Sequence, residues 1–202
     1  MAGSGPRRRI GIFGGTFDPV HVGHLVAAVN ARHCLSLDKV LLVVANRPWQ
    51  KVADRPVAPA RDRLATVEAA VAGVEGLEAS AIEIERGGDS YTADTVAELA
   101  AAHPADQLFL IVGSDLVGQM ASWERVGTIK ELVTVAVVSR PGWPGPPDLG
   151  PGWAVEQVEI PALDISSTEL RARLADGRPL DFLVPAEAVR CMRERGMYAV
   201  AG

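Results

Sequence analysis

The chain has 202 residues, 48% of them apolar and 5% aromatic, with a formal net charge of −5. That length suits a single domain, 1–202, with one active site rather than two independent cores. The acidic balance excludes a broad phosphate-neutralising surface, so no nucleic-acid partner is expected. The two cysteines, Cys34 and Cys191, lie far apart without CxxC spacing, so neither a disulfide framework nor a thiolate zinc site is indicated, and a reducing cytoplasm fits.

Residues 1–6 are small and polar and are expected to be disordered. Arg7, Arg8 and Arg9 precede only the short apolar run Ile10 to Phe13, too little for a signal peptide or a membrane span, so a soluble, cytoplasmic protein with no membrane partner is expected. RIGIFGG is a β-type run ended by Gly14 and Gly15, and LVAAVNARHCL carries apolar residues at helical spacing. KVLLVVAN then predicts a buried strand, APARDRLATVEAAVAG a helix stopped by Gly73, EASAIEIE a strand, and TADTVAELAAAH a helix stopped before Pro104. QLFLIVGS and TVAVVSR predict two further strands, with helical material around Trp123 to Leu132 between them. PGWPGPPDLGPGW reads as a surface loop, and the tail as two short helices, in PALDISSTELRARLADG and VPAEAVRCMRERG.

Strands that are apolar along their length and alternate with helices call for a parallel sheet covered on both faces. The expected fold is therefore α/β: a Rossmann-like, doubly wound parallel sheet with a short C-terminal helical segment. Ligands of such sheets sit beyond the carboxyl ends of the strands, so the loops that follow strands are where chemistry is sought.

The loop after the first strand, Gly14-Gly15-Thr16-Phe17-Asp18-Pro19-Val20-His21-Val22-Gly23-His24, is the most informative segment. Glycines let backbone approach a polyphosphate, and the helix that follows presents N–H groups and a positive dipole end to an anion. His21 and His24, three apart at that helix start, can point side by side at the same anion and donate to it in either protonation state. Taken singly, each histidine reads as an ordinary surface or core residue; a metal site is weak without a third ligand at matching spacing. The loop is neither a Walker A sequence nor GxGxxG.

It does resemble the HxGH signature of nucleotidyltransferases, and GGTFDPVHVGH is similar to the bacterial nicotinate mononucleotide adenylyltransferases. Downstream, Ile165-Ser166-Ser167-Thr168-Glu169-Leu170-Arg171 resembles the ISSTxxR motif that grips ATP phosphates in this superfamily. By itself that segment is also a good helix start, with Ser166 and Glu169 at capping-box spacing, and both readings hold together. Ser90-Tyr91-Thr92-Ala93-Asp94-Thr95, Gly113-Ser114-Asp115 with Trp123, and Ser139-Arg140-Pro141-Gly142 resemble further family segments. Ordinary capping would account for Thr92, Asp94 or Asp115 singly, and core packing for Trp123. His33 and His103 are read as structural.

The resemblance implies an enzyme that joins the AMP part of ATP to nicotinate mononucleotide, giving nicotinate adenine dinucleotide and pyrophosphate in NAD biosynthesis. His21, His24 and Arg171 are implied as catalytic, and Gly14, Gly15, Thr16, Phe17, Gly23, Gly113, Asp115, Ile165, Ser166, Ser167 and Thr168 join them in binding ATP. Lys51, Tyr91, Thr92, Trp123 and Arg140 are implied in binding the mononucleotide. Lys51 follows Gln50 where most of the family has a histidine. Mg²⁺ is expected on ATP rather than in a protein cage, since no carboxylate cluster is evident. Rival readings are another acceptor, such as phosphopantetheine or a polyol phosphate, and a nucleotide-binding module without catalysis. The oligomeric state, a homodimer included, stays open.

Overall fold

The computed structural model describes residues 7–48, 56–139, 145 and 149–198. The expectations for residues 1–6 and for most of the Pro/Gly-rich stretch fall outside these. Contacts divide the chain into two units, Met1–Phe13 with Ala27–Leu41 and Tyr91–Ala162, and Gly14–Val26 with Leu42–Ser90 and Leu163–Gly202.

The strands are β1 (Arg9–Gly15), β2 (Lys39–Val44), β3 (Leu77–Ser80), β4 (Gln107–Gly113), β5 (Val133–Ser139) and β6 (Val155–Glu159). They form one sheet in the order β3-β2-β1-β4-β5-β6, parallel throughout. The parallel ladders include Arg9↔Gln107 through Ile12↔Leu110 and Leu108↔Val133 through Gly113↔Val138. Val40, Leu42, Val43 and Val44 of β2, and Leu108 to Val112 of β4, are all buried. A strand apolar on both faces has no solvated side, so each such residue adds roughly 1.5–3 kcal/mol only if helices cover both faces.

The helices are α1 (Val22–Cys34), α2 (Ala60–Val71), α3 (Ile82–Arg86), α4 (Thr92–Ala102), α5 (Ser114–Val117), α6 (Val126–Leu132), α7 (Ser167–Ala175) and α8 (Ala186–Glu194). Small residues face inward from α1, where Ala27 and Ala28 are buried together with Ala31 one helical turn on. In the second unit α2 packs on α8; in the first, α4 packs on α6. Among the described residues no helix is long and apolar enough to cross a membrane.

Two expectations need correction, and a further strand joins those the sequence predicts. EASAIEIE is not one strand: the chain leaves β3 at Ser80 and turns into α3. The Ile-Glu-Ile-Glu alternation suits a strand, but Glu83 is buried and pairs with Arg86 one turn on, and Gly87, at φ +74°, donates its N–H to the Glu83 carbonyl and closes a helical turn. The α-helix expected around Trp123 begins only at Val126; Met120–Ser122 form a 3₁₀ turn and Trp123 is extended. Strand β6 was not expected, because Val158 is its only buried residue and the segment carries no apolar run.

Candidate active site

In the second unit, β1 delivers Gly14 and Gly15 at its end, and the Ala45 N–H donates to the Gly15 carbonyl at 2.9 Å, fixing where the loop departs. Thr16, Phe17 and Asp18 are buried, and Phe17 adopts φ +47°. The chain then enters α1, with His21 immediately before its first residue.

The two histidines are brought together: their ring centroids lie 3.7 Å apart and the planes are tilted by 32°. The His21 N–H donates to His24 Nδ1 at 3.2 Å, and the Phe17 ring meets His24 edge-on at 5.0 Å. His21 is 6% exposed and its Nδ1 has no hydrogen-bond partner. Burial lowers its pKa to about 4, so it is neutral at pH 7. Gly23 makes room for this arrangement, since a Cβ there would lie 3.0 Å from His21 Nδ1. The pair is thus an array of neutral donors at a helix start, suited to anionic oxygen without adding a full charge.

The second motif lies in the same unit. Ser166 caps α7, accepting the Glu169 N–H at 3.1 Å, so the capping reading holds. The following residues reach the first loop: Ser167 Oγ donates to the Pro19 carbonyl at 3.0 Å, and Arg171 Nη1 donates to the Asp18 carbonyl at 2.6 Å. Arg171 Nη2 donates to Thr168 Oγ1 at 3.0 Å. The two motifs, about 150 residues apart in sequence, are therefore bonded to each other. Ile165 is half-buried ahead of the cap.

Sequence reasoning missed the residues that hold this loop. Arg63, 1% exposed on α2, donates to the carbonyls of Ala58, Thr16, Ala45 and Asn46 at 2.8, 2.6, 2.7 and 3.2 Å. One guanidinium thereby satisfies carbonyls of two loops that helices and strands cannot reach. Asp18 accepts the Tyr198 hydroxyl at 2.6 Å and the Ala58 N–H at 3.4 Å on its carboxylate. Burial and this hydrogen bond push the Tyr198 hydroxyl well above its usual pKa, so it remains a donor. An arginine inside an Ala-rich helix was the one available signal.

In the first unit, β4 ends at Gly113, and Asp115 folds back over it: a Cβ on Gly113 would fall 2.5 Å from Asp115 Oδ1. Asp115 itself is exposed. Tyr91 precedes α4, Thr92 opens it, and both are half-buried, as is Trp123. Asp94 in the first turn of α4 pairs with both terminal nitrogens of Arg125, at 2.6 and 2.7 Å. Ser90, in the second unit, has a positioning part: its Oγ accepts the Asn46 N–H at 2.9 Å. Lys51 and Arg140 lie outside the described residues. No group of three or more His, Cys, Asp or Glu among the described residues is arranged to hold a metal ion.

Comparison with known proteins adds three findings. The cytidylyltransferase-like family model matches residues 12–173. A protein of Saccharopolyspora erythraea described as a probable nicotinate-nucleotide adenylyltransferase is 43% identical over 192 residues, covering 95% of this chain and 90% of its own; one of the same description from Thermus thermophilus is 42% identical, covering 94% and 99%. The structure of the Plasmodium falciparum nicotinic acid mononucleotide adenylyltransferase complexed with NaAD superposes with a TM-score of 0.75 at 16% identity, covering 95% and 98%. At that identity the likeness establishes the fold.

Proposed function

We propose, for a chain that belongs to the cytidylyltransferase-like family and within it to the nicotinate-nucleotide adenylyltransferases, that it transfers AMP from ATP to nicotinate mononucleotide. The observation that carries the reading is the union of the paired His21 and His24 with the α7 start through the Arg171 and Ser167 bonds to Asp18 and Pro19. Two helix N-termini, two neutral imidazoles and one guanidinium then serve a single polyphosphate.

In this reading a 5′-phosphate oxygen of the mononucleotide attacks the α-phosphorus of ATP. The bond from that phosphorus to the bridging oxygen breaks, and pyrophosphate leaves with the electron pair. The attacking phosphate is already largely dianionic at neutral pH, so no general base is needed. Positioning and preorganised donors do the work. His24 donates through Nε2, since its Nδ1 is taken by the His21 N–H. Gly14, Gly15, Thr16, Phe17, Gly23 and the Ile165–Thr168 segment shape the phosphate cradle, with Gly113 and Asp115 assigned to the ATP ribose. Tyr91, Thr92 and Trp123, with Lys51 and Arg140, are assigned to the mononucleotide. Mg²⁺ enters on the substrate, as Mg·ATP.

We place this reaction in one catalytic domain in the cytoplasm, where the free thiols Cys34 and Cys191 persist. The test mixes purified protein with ATP, Mg²⁺ and, in turn, nicotinate mononucleotide, nicotinamide mononucleotide, phosphopantetheine and glycerol 3-phosphate, and measures pyrophosphate. Release only with a pyridine mononucleotide supports the reading; release only with another acceptor, or none with any, overturns it.

A further inference from the structure

Arg125 is placed against every local preference. It stands at the N-cap of α6 with φ +49°, makes no side-chain cap, and puts a cation at the positive end of a helix dipole. A left-handed backbone is strained for a non-glycine residue, and such outliers cluster where geometry matters to function.

What the strained residue does make is a bidentate pair with Asp94, Nη1 to Oδ1 at 2.6 Å and Nη2 to Oδ2 at 2.7 Å, across 31 residues of sequence. Its guanidinium also lies 5.9 Å from the centre of the Tyr91 ring. Asp94 is three residues beyond Tyr91 and two beyond Thr92; Arg125 is two beyond Trp123. The pair therefore ties the α4 start, with Tyr91 and Thr92, to the extended segment that carries Trp123.

We infer that Asp94 and Arg125 are positioning residues for the acceptor: their forked pair sets the spacing between Tyr91, Thr92 and Trp123 that admits a flat pyridine ring. The inference rests on the function proposed above. An arginine fork and a carboxylate fix two distances and a plane at once, which a point charge cannot do. Asp94 equally keeps the guanidinium from acting as a free cation toward the ring.

The test uses Asp94→Asn, Arg125→Lys and the double variant, with steady-state kinetics varied separately in nicotinate mononucleotide and in ATP, plus calorimetric binding of nicotinate mononucleotide alone. Asp94→Asn is expected to raise KM and Kd for the mononucleotide about tenfold or more, as for a slightly misplaced binding group, with KM for ATP within about twofold. Arg125→Lys, which keeps the charge, should do the same, and the double variant should be no worse than either single. Unchanged KM and Kd for the mononucleotide, an equal rise in KM for ATP, or additive effects would overturn the inference while wild-type turnover still upheld the function. A wild-type protein that releases no pyrophosphate would overturn both.

Discussion

The main-chain N–H of His21 donates to Nδ1 of His24, and this bond decides which ring nitrogen of the second imidazole carries the proton. With Nδ1 accepting, neutral His24 carries its proton on Nε2, the atom assigned to the phosphates. His24→Asn separates the two ends of the ring. The Asn side-chain oxygen can replace Nδ1 as acceptor, whereas nothing replaces Nε2–H. Turnover should fall roughly 10²–10³-fold, as on loss of one preorganised donor, with thermal stability close to wild type. A sharp fall in melting temperature with unchanged turnover per folded molecule would make His24 a structural residue.

The arrangement was legible in the sequence at its ends and illegible in its middle. GGTFDPVHVGH and ISSTELR both announce helix starts, and both are found at helix starts. The parallel sheet followed from apolar runs such as KVLLVV and QLFLIVG, which leave no polar face. Arg63 could not be read this way, because its partners are four main-chain carbonyls that carry no side-chain signature. The Tyr198 bond to Asp18 joins residues 180 apart and depends on tertiary placement alone. Strand β6 failed for the converse reason: an edge strand with one buried valine has no pattern to detect.

His21 makes stability depend on pH. Its folded pKa of about 4 lies below the ordinary 6.5, so between those values the unfolded chain binds a proton that the folded chain refuses. The contribution is intact above pH 6.5 and is lost as the pH falls toward 4, on the order of 3 kcal/mol by the bottom of that window. Urea unfolding at pH 7.5 and pH 4.5 should show a clearly larger loss for wild type than for His21→Gln, which cannot titrate. Equal losses in the two proteins would mean that His21 charges freely in the fold.

Arg171 and Arg173 share a helix and differ in what they hold. Arg171 reaches the Asp18 carbonyl with one nitrogen and Thr168 with another, while Arg173 pairs with Glu169 at 3.0 Å on the α7 surface. Lysine can keep a surface pair, but its single nitrogen lacks the two separated donor atoms with which the planar guanidinium reaches Asp18 and Thr168 at once. Arg171→Lys should lower kcat/KM for ATP by roughly ten- to a hundredfold, as for a misplaced binding group, and Arg173→Lys should stay within about twofold. Equal sensitivity of the two positions, or none at either, would remove Arg171 from the phosphate site.

The acceptor's ring substituent is the finest distinction the site is asked to make. Arg125 is the cation nearest Trp123 in sequence, yet both its terminal nitrogens are engaged by Asp94, so its charge is already compensated. Discrimination between acid and amide then falls to N–H donors, which Thr92 and Ala93 can supply as the first residues of α4, with the helix dipole behind them. A carboxylate accepts on both oxygens, whereas an amide turns its NH₂ toward one donor and leaves that donor unpaired, at about 1–3 kcal/mol. Nicotinate mononucleotide is therefore expected to exceed nicotinamide mononucleotide in kcat/KM by roughly ten- to a hundredfold. If Asp94 also keeps Arg125 from reading the ring, Asp94→Asn should raise KM for both mononucleotides through the lost spacing and shift this ratio toward the acid, because only the carboxylate gains from the released guanidinium. Measuring kcat/KM for both mononucleotides at saturating ATP decides the matter, and equal values or a preference for the amide would refute the assignment of the acid as substrate while leaving AMP transfer in place.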